Sequence, residues 1–81
     1  MTNQFRIGDR ISLHSKGTGI VAFTGTTKFA SGEWVGIILD NPVGRNNGSV
    51  ENFEYFKCPP GHGIFIRPGQ VLWFQNFSMS I

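Results

Sequence analysis

Residues 25–48 read GTTKFASGEWVGIILDNPVGRNNG, and the reading of this stretch decides the fold. It opens on small and polar residues that carry one aromatic, Phe29. It continues through Trp34-Val35-Gly36-Ile37-Ile38-Leu39, an apolar run rich in β-branched residues. A short run of that kind, bounded by turn residues, predicts a central strand, with Gly36 marking a bend or a close backbone approach. Asp40-Asn41-Pro42 ends the strand, because proline has no N–H to donate to a ladder. Gly44-Arg45-Asn46-Asn47-Gly48 then predicts a hairpin-like turn, since Asn and Gly tolerate positive φ. Aromatic side chains at one end and an Arg-Asn-Asn loop at the other predict a surface that holds an apolar and an anionic group together.

Outward from this stretch, the pattern is one of short strands. Residues 5–13 predict a first strand, and Ser15-Lys16-Gly17-Thr18-Gly19 a turn. Residues 20–24 predict a second strand, with Ile20, Ala22 and Thr24 on one side and Val21 and Phe23 on the other. Residues 26–33 are expected to be a loop. Ser49-Val50 starts a short strand, residues 54–57 are expected to continue the sheet, and Pro59-Pro60-Gly61 interrupts it. Residues 63–66 form a further strand closed by Arg67-Pro68-Gly69, and residues 71–74 the last. In the 63–66 strand, alternation turns Ile64 and Ile66 to the core and Phe65 outward, on the face of Arg67. No segment sustains a 3.6-residue apolar period. The fold expected is all-β, a small, strongly twisted antiparallel barrel or sandwich with little or no helix.

Composition narrows the function classes. The chain has 81 residues, enough for one domain and one core. A chain this short buries only about 60–65% of its unfolded surface. Cys58 is the single cysteine, which rules out an internal disulfide and a multi-cysteine zinc site. The domain is expected to rest on its aromatics, eight Phe, two Trp and one Tyr, each able to bury a large area. The net charge is +2, and the basic residues are scattered, short of a nucleic-acid-binding tract. No membrane span is expected, and a lone thiol with no secretory signal points to the cytoplasm. The domain is expected over residues 5–74. Residues 75–81, carrying Phe77, Met79 and Ile81, are expected to be the start of a region absent from this chain.

Enzymatic chemistry has little to stand on. His14 and His62 are the only residues suited to proton transfer, and neither has a nucleophile in a recognisable arrangement. His62 and Cys58 read as turn or packing residues, and neither a metal nor a cofactor is expected. The 44–48 loop is not a phosphate cradle, because no Gly-Lys-Ser/Thr leading into a helix follows. Its backbone N–H groups are expected to form a nest for a carboxylate, with Asn46 adding a side-chain donor.

Several of these segments carry a resemblance. Lys28-Phe29-Ala30-Ser31-Gly32-Glu33-Trp34-Val35-Gly36, Leu39-Asp40, Gly44-Arg45-Asn46-Asn47-Gly48-Ser49-Val50, Tyr55-Phe56-Lys57-Cys58 and residues 61–68 together resemble a CAP-Gly domain over about residues 6–72. Within that family the motifs are most similar to the Glued-type large subunit of dynactin, with the cytoplasmic linker proteins next. The resemblance implies an SH3-like β domain that binds C-terminal tails ending Glu-Glu-Tyr or Glu-Glu-Phe, as in α-tubulin and the end-binding proteins. Zinc knuckles of linker proteins are a further partner class it implies. By position, Phe29, Trp34 and Phe65 would line an apolar groove, Arg45 and Asn46 would hold carboxylates, with Asn47 and Gly48 completing the loop, and Lys28, Arg67 and Gln70 would flank it. The family's loop is Gly-Lys-Asn-Asp-Gly; here Arg45 brings a planar fork and Asn47 removes a negative charge.

The expected function is therefore a microtubule and plus-end recognition module of a dynactin-type motor adaptor, in a parent dimeric through some other region. A linker protein or a tubulin-folding cofactor is the alternative setting. A nucleic-acid-binding barrel would need denser basic residues. A methyl-lysine cage would need acidic neighbours, where Arg45, Arg67 and Lys28 stand.

Overall fold

The computed structural model describes residues 4–75, with side chains as far as Val71. The apolar tail residues 76–81 lie outside that range. Seven strands follow one another: β1 (Arg10–Leu13), β2 (Gly17–Thr26), β3 (Glu33–Leu39), β4 (Ser49–Val50), β5 (Phe53–Glu54), β6 (Gly63–Ile66) and β7 (Val71–Gln75). Every pairing is antiparallel, in a five-stranded sheet ordered β6-β3-β2-β1-β7 and a separate ribbon of β4 and β5. The only helical element among the described residues is a 3₁₀ turn, Pro68–Gln70. The all-β expectation is met.

Connectivity forces the sheet to curl. β6 and β7 are its two edges, yet only residues 67–70 separate them. Four strand spacings in a flat sheet would be about 19 Å. A link that is mostly 3₁₀ turn reaches only about 13 Å. The edges therefore bend toward each other, and the concave side collects Ile11, Leu13, Val21, Val35, Ile37, Leu39, Ile64 and Ile66 as one buried cluster. Val35, Ile37 and Leu39 alternate inward along β3, which makes Trp34, Gly36 and Ile38 the outer face.

The local expectations needed four corrections. β1 begins at Arg10 rather than residue 5, because Gly8 takes φ +98° and Asp9 closes a turn back onto Arg6. β2 begins at Gly17, since the reversal is made by Ser15 at φ 62° and Gly17 at φ 82°. Strict alternation failed at Ala22. Val21 pairs with inward Ile37, but Phe23 pairs with outward Gly36, so a bulge at Ala22 turns Phe23 onto the outer face. Finally, the 53–57 segment does not extend the main sheet. β5 folds back on β4 through Glu51 and Asn52, whose φ values of 51° and 68° are the positive pair a type I′ hairpin requires.

Candidate functional site

The outer face of β2, β3 and β6 carries a continuous array of rings. Phe65 on β6 lies at its centre, with centroids 5.0 Å from Phe29, 5.2 Å from Tyr55, 5.5 Å from Phe56 and 5.8 Å from Phe23. Phe29 reaches Trp34 at 5.2 Å, and Phe53 extends the array from Tyr55 at 4.7 Å. The pairs are edge-on or tilted, the arrangement the ring quadrupole favours. Phe29, Trp34, Tyr55 and Phe65 are half-buried, and Phe53 is 40% exposed. Ile64 and Ile66 are buried, so the alternation that turned Phe65 outward holds.

Backbone geometry holds this array in place. Phe56 fits against Gly36, where a Cβ would come within 2.5 Å of its Cε1. The loop bearing Phe29 is tied down by the Lys28 N–H, which donates to the Tyr55 hydroxyl at 2.9 Å. At the rim two cations lie over ring faces: the Arg67 guanidinium over Trp34 at 3.9 Å, and the Lys28 ammonium over Phe53 at 4.6 Å. The one ion pair among the described residues, Arg10 with Asp40, involves neither of them.

The 44–48 loop corrects two expectations. It is not a hairpin tip: Asn46 bridges to Gly63 of β6, and the tight turn falls later, at Glu51-Asn52. Nor is it a nest of free donors. The N–H of Gly44 bonds to the Gly61 carbonyl, those of Arg45 and Asn46 to Gly63, that of Gly48 to Asn46 Oδ1, and that of Ser49 to Asn47 Oδ1. These donors are consumed in fixing the loop's own shape, which an 81-residue chain without cross-links needs. The loop still offers an anion the exposed Arg45 side chain and Asn46 Nδ2, since Asn46 Oδ1 faces the Gly48 N–H. Gly48 is obligatory: at φ +99°, a Cβ would fall 2.0 Å from the Phe56 carbonyl oxygen.

Of the residues read from sequence, Phe29, Trp34, Phe65, Lys28 and Arg67 come together, with Arg45, Asn46, Asn47 and Gly48 in the loop pinned to β6. Gln70 does not join the ring array. Its Oε1 accepts from the Arg67 N–H at 2.8 Å, and its side chain lines a cavity of about 170 Å³ with Leu13, His14, Lys16, Ile64 and Ile66, on the concave side of the sheet. Sequence reasoning missed Phe23, Phe53, Tyr55 and Phe56 as members of the array. The signal for the last three was the aromatic density of Phe53-Glu54-Tyr55-Phe56. Phe23 gave none, because a bulge decides its side.

Two of the residues weighed for catalysis, His62 and Cys58, sit in structural roles. His62 Nδ1 lies 2.7 Å from the Leu39 carbonyl, whose own N–H donates to the His62 carbonyl, fastening β3 to β6. Burial pushes the Cys58 thiol up, away from the reactive thiolate.

The family model for the CAP-Gly domain matches residues 7–71. The chain belongs to the CAP-Gly family. This CAP-Gly domain is 52% identical over 66 residues to CAP-Gly domain-containing linker protein 3 of Mus musculus, and 55% identical over 66 residues to that of Homo sapiens. Each match covers 82% of this chain but 12% of the relative, so the chain spans a small part of those proteins. Among solved structures it resembles the CAP-Gly domain of human kinesin-like protein KIF13B, with TM-score 0.80, 38% identity, and 88% and 72% of the two chains covered. It also resembles the Bik1 CAP-Gly domain solved with an ETF peptide from Bim1, with TM-score 0.74, 29% identity, and 79% and 78% covered.

Proposed function

We propose that this CAP-Gly domain captures the free C-terminal end of acidic-aromatic protein tails, of the kind that closes α-tubulin and the end-binding proteins, and so recognises microtubules and their plus ends. The observation that carries the reading is the half-exposed ring array of Phe29, Trp34 and Phe65, rimmed by Lys28 and with Arg45 in the adjoining loop, neither cation paired with an acid among the described residues. An apolar slot with a positive rim suits an aromatic residue preceded by carboxylates. Arg45 and Asn46 Nδ2 are the donors for the terminal carboxylate. The Bik1 domain's peptide partner supports the same chemistry here.

For the parent protein, the linker-protein relatives support a cytoplasmic linker bound to the microtubule cytoskeleton. A dynactin-type motor adaptor, dimeric through another region, and a tubulin-folding cofactor are the other settings, and zinc knuckles of linker proteins a further ligand class. The domain works by binding, not catalysis; the engaged His62 ring and the protonated Cys58 thiol support this.

A short tail buries little area, so the affinity expected is micromolar, on the order of −7 to −8 kcal/mol. Titrating a peptide ending Glu-Glu-Tyr against the same peptide without its final Tyr tests the reading. Loss of most of the binding with the Tyr supports it, and equal binding overturns it.

A further inference from the structure

One nitrogen of the Arg67 guanidinium, Nη1, is taken by neutral groups of its own domain. Nη1 donates to the carbonyl oxygens of Ser31 at 2.9 Å and Glu33 at 3.2 Å, while Cζ lies over the Trp34 ring, 3.9 Å from its centroid. The stem is anchored at the end of β6, where the Arg67 N–H is held by Gln70 of the 3₁₀ turn. The head thus crosses from β6 to the start of β3 and to the loop bearing Phe29. Between the two carbonyls, Gly32 takes φ +88° and leaves the space that Nη1 fills; a Cβ there would lie 2.5 Å from it.

Trp34 has no polar anchor of its own. Its indole Nε1 is buried and has no hydrogen-bond partner among the described residues. Its ring is therefore oriented by what packs on it, Phe29 and the Arg67 plane. A planar fork can stack and donate to two carbonyls at once; an ammonium carries the charge but cannot do both in that geometry.

We infer that Arg67 is a positioning residue, a planar clip that sets the Trp34 ring and the Phe29 loop for the ligand rather than a counter-charge for the ligand's acids. This rests on the tail-capture reading of the same groove.

The test uses the whole 81-residue chain and the Glu-Glu-Tyr peptide. Arg67→Lys is expected to weaken binding as much as Arg67→Ala, each by about tenfold, with the slope of affinity against salt unchanged. In the ligand-free protein both variants are expected to shift the Trp34 indole N–H and the amide resonances of residues 28–33. Gly32→Ala, which keeps the arginine but fills its socket, should weaken binding as well, and combining it with Arg67→Ala should add little. Arg67→Lys binding within about twofold of the parent chain, while Arg67→Ala loses affinity and flattens the salt slope, overturns the clip in favour of a counter-charge. Should Arg67→Ala melt below the assay temperature, the lysine variant and its ligand-free spectrum decide. A parent chain indifferent to the final Tyr overturns the tail-capture reading instead, and the ligand-free spectra still test the clip.

Discussion

Phe56 rests on the bare backbone of Gly36, so close that a Cβ at position 36 would meet its Cε1 at 2.5 Å and the Cβ of Phe23 at 3.0 Å. Phe56 is itself buried and cannot swing away. Gly36→Ala is therefore expected to destabilise the domain by about 2 kcal/mol through overpacking. Chemical denaturation monitored by circular dichroism checks this as a lower midpoint with the slope unchanged.

Trp34 is half-buried on the outer face, away from the aliphatic cluster. Trp34→Ala is expected to cost about 2 kcal/mol or more of tail binding, with a smaller loss of stability. Calorimetric titration of the Glu-Glu-Tyr peptide beside a thermal melt separates the two effects.

Asn46 divides its amide between two tasks. Oδ1 accepts from the Gly48 N–H at 2.8 Å, and Nδ2 remains for a ligand. Asn46→Asp keeps an acceptor for Gly48 but replaces the donor with a negative charge. The melting midpoint is expected to change little while peptide affinity falls about tenfold or more, from a lost charge-assisted bond plus repulsion. Asn46→Ala should lose both fold stability and affinity.

Asn47 stands where the family's loop has Asp, and its Oδ1 accepts from the Ser49 N–H at 3.1 Å. A carboxylate can make the same bond, so the loop shape does not depend on the substitution. Asn47→Asp should leave the melting midpoint within a degree or two and weaken binding of an acidic tail by about twofold at low salt, less as salt is raised.

Asp40 ties three strands: it accepts both guanidinium nitrogens of Arg10 at 3.2 and 2.9 Å and the Thr18 hydroxyl. The Arg10 hydrogen bonds, then that from Thr18, hold its carboxyl below the usual range. A carboxyl whose folded pKa lies below its unfolded value stabilises fully above about pH 4, and that contribution disappears as pH falls through the folded value. The pair is 38% and 43% exposed, so screening keeps the effect to about 0.5 kcal/mol. Urea midpoints of the parent chain and Asp40→Asn should differ at pH 6 and converge near pH 2.

What could be read without coordinates was whatever local chemistry dictates. Alternation put Ile64 and Ile66 inside and Phe65 outside, and the apolar run with its proline stop gave β3, because side-chain direction in a strand depends only on parity. The residues of the proposed groove, Gln70 aside, were legible through a set of motifs, and Gly36 could be marked as a bend or close approach because a strand interior has little other use for glycine. The tertiary structure decided what depends on partners distant in the chain. A single extra residue at Ala22 carried Phe23 across the sheet, which periodicity cannot register. Gly44, Arg45 and Asn46 gave their backbone donors to Gly61 and Gly63, some 17 residues away, and a nest inferred from composition had no way to know they were taken. Gln70 and Arg67 are near neighbours in sequence, yet their side chains part: Arg67, still extended at φ −77° and ψ 147°, keeps the outward parity of Phe65 and crosses to Trp34, while Gln70 lies within the 3₁₀ turn and lines the concave side.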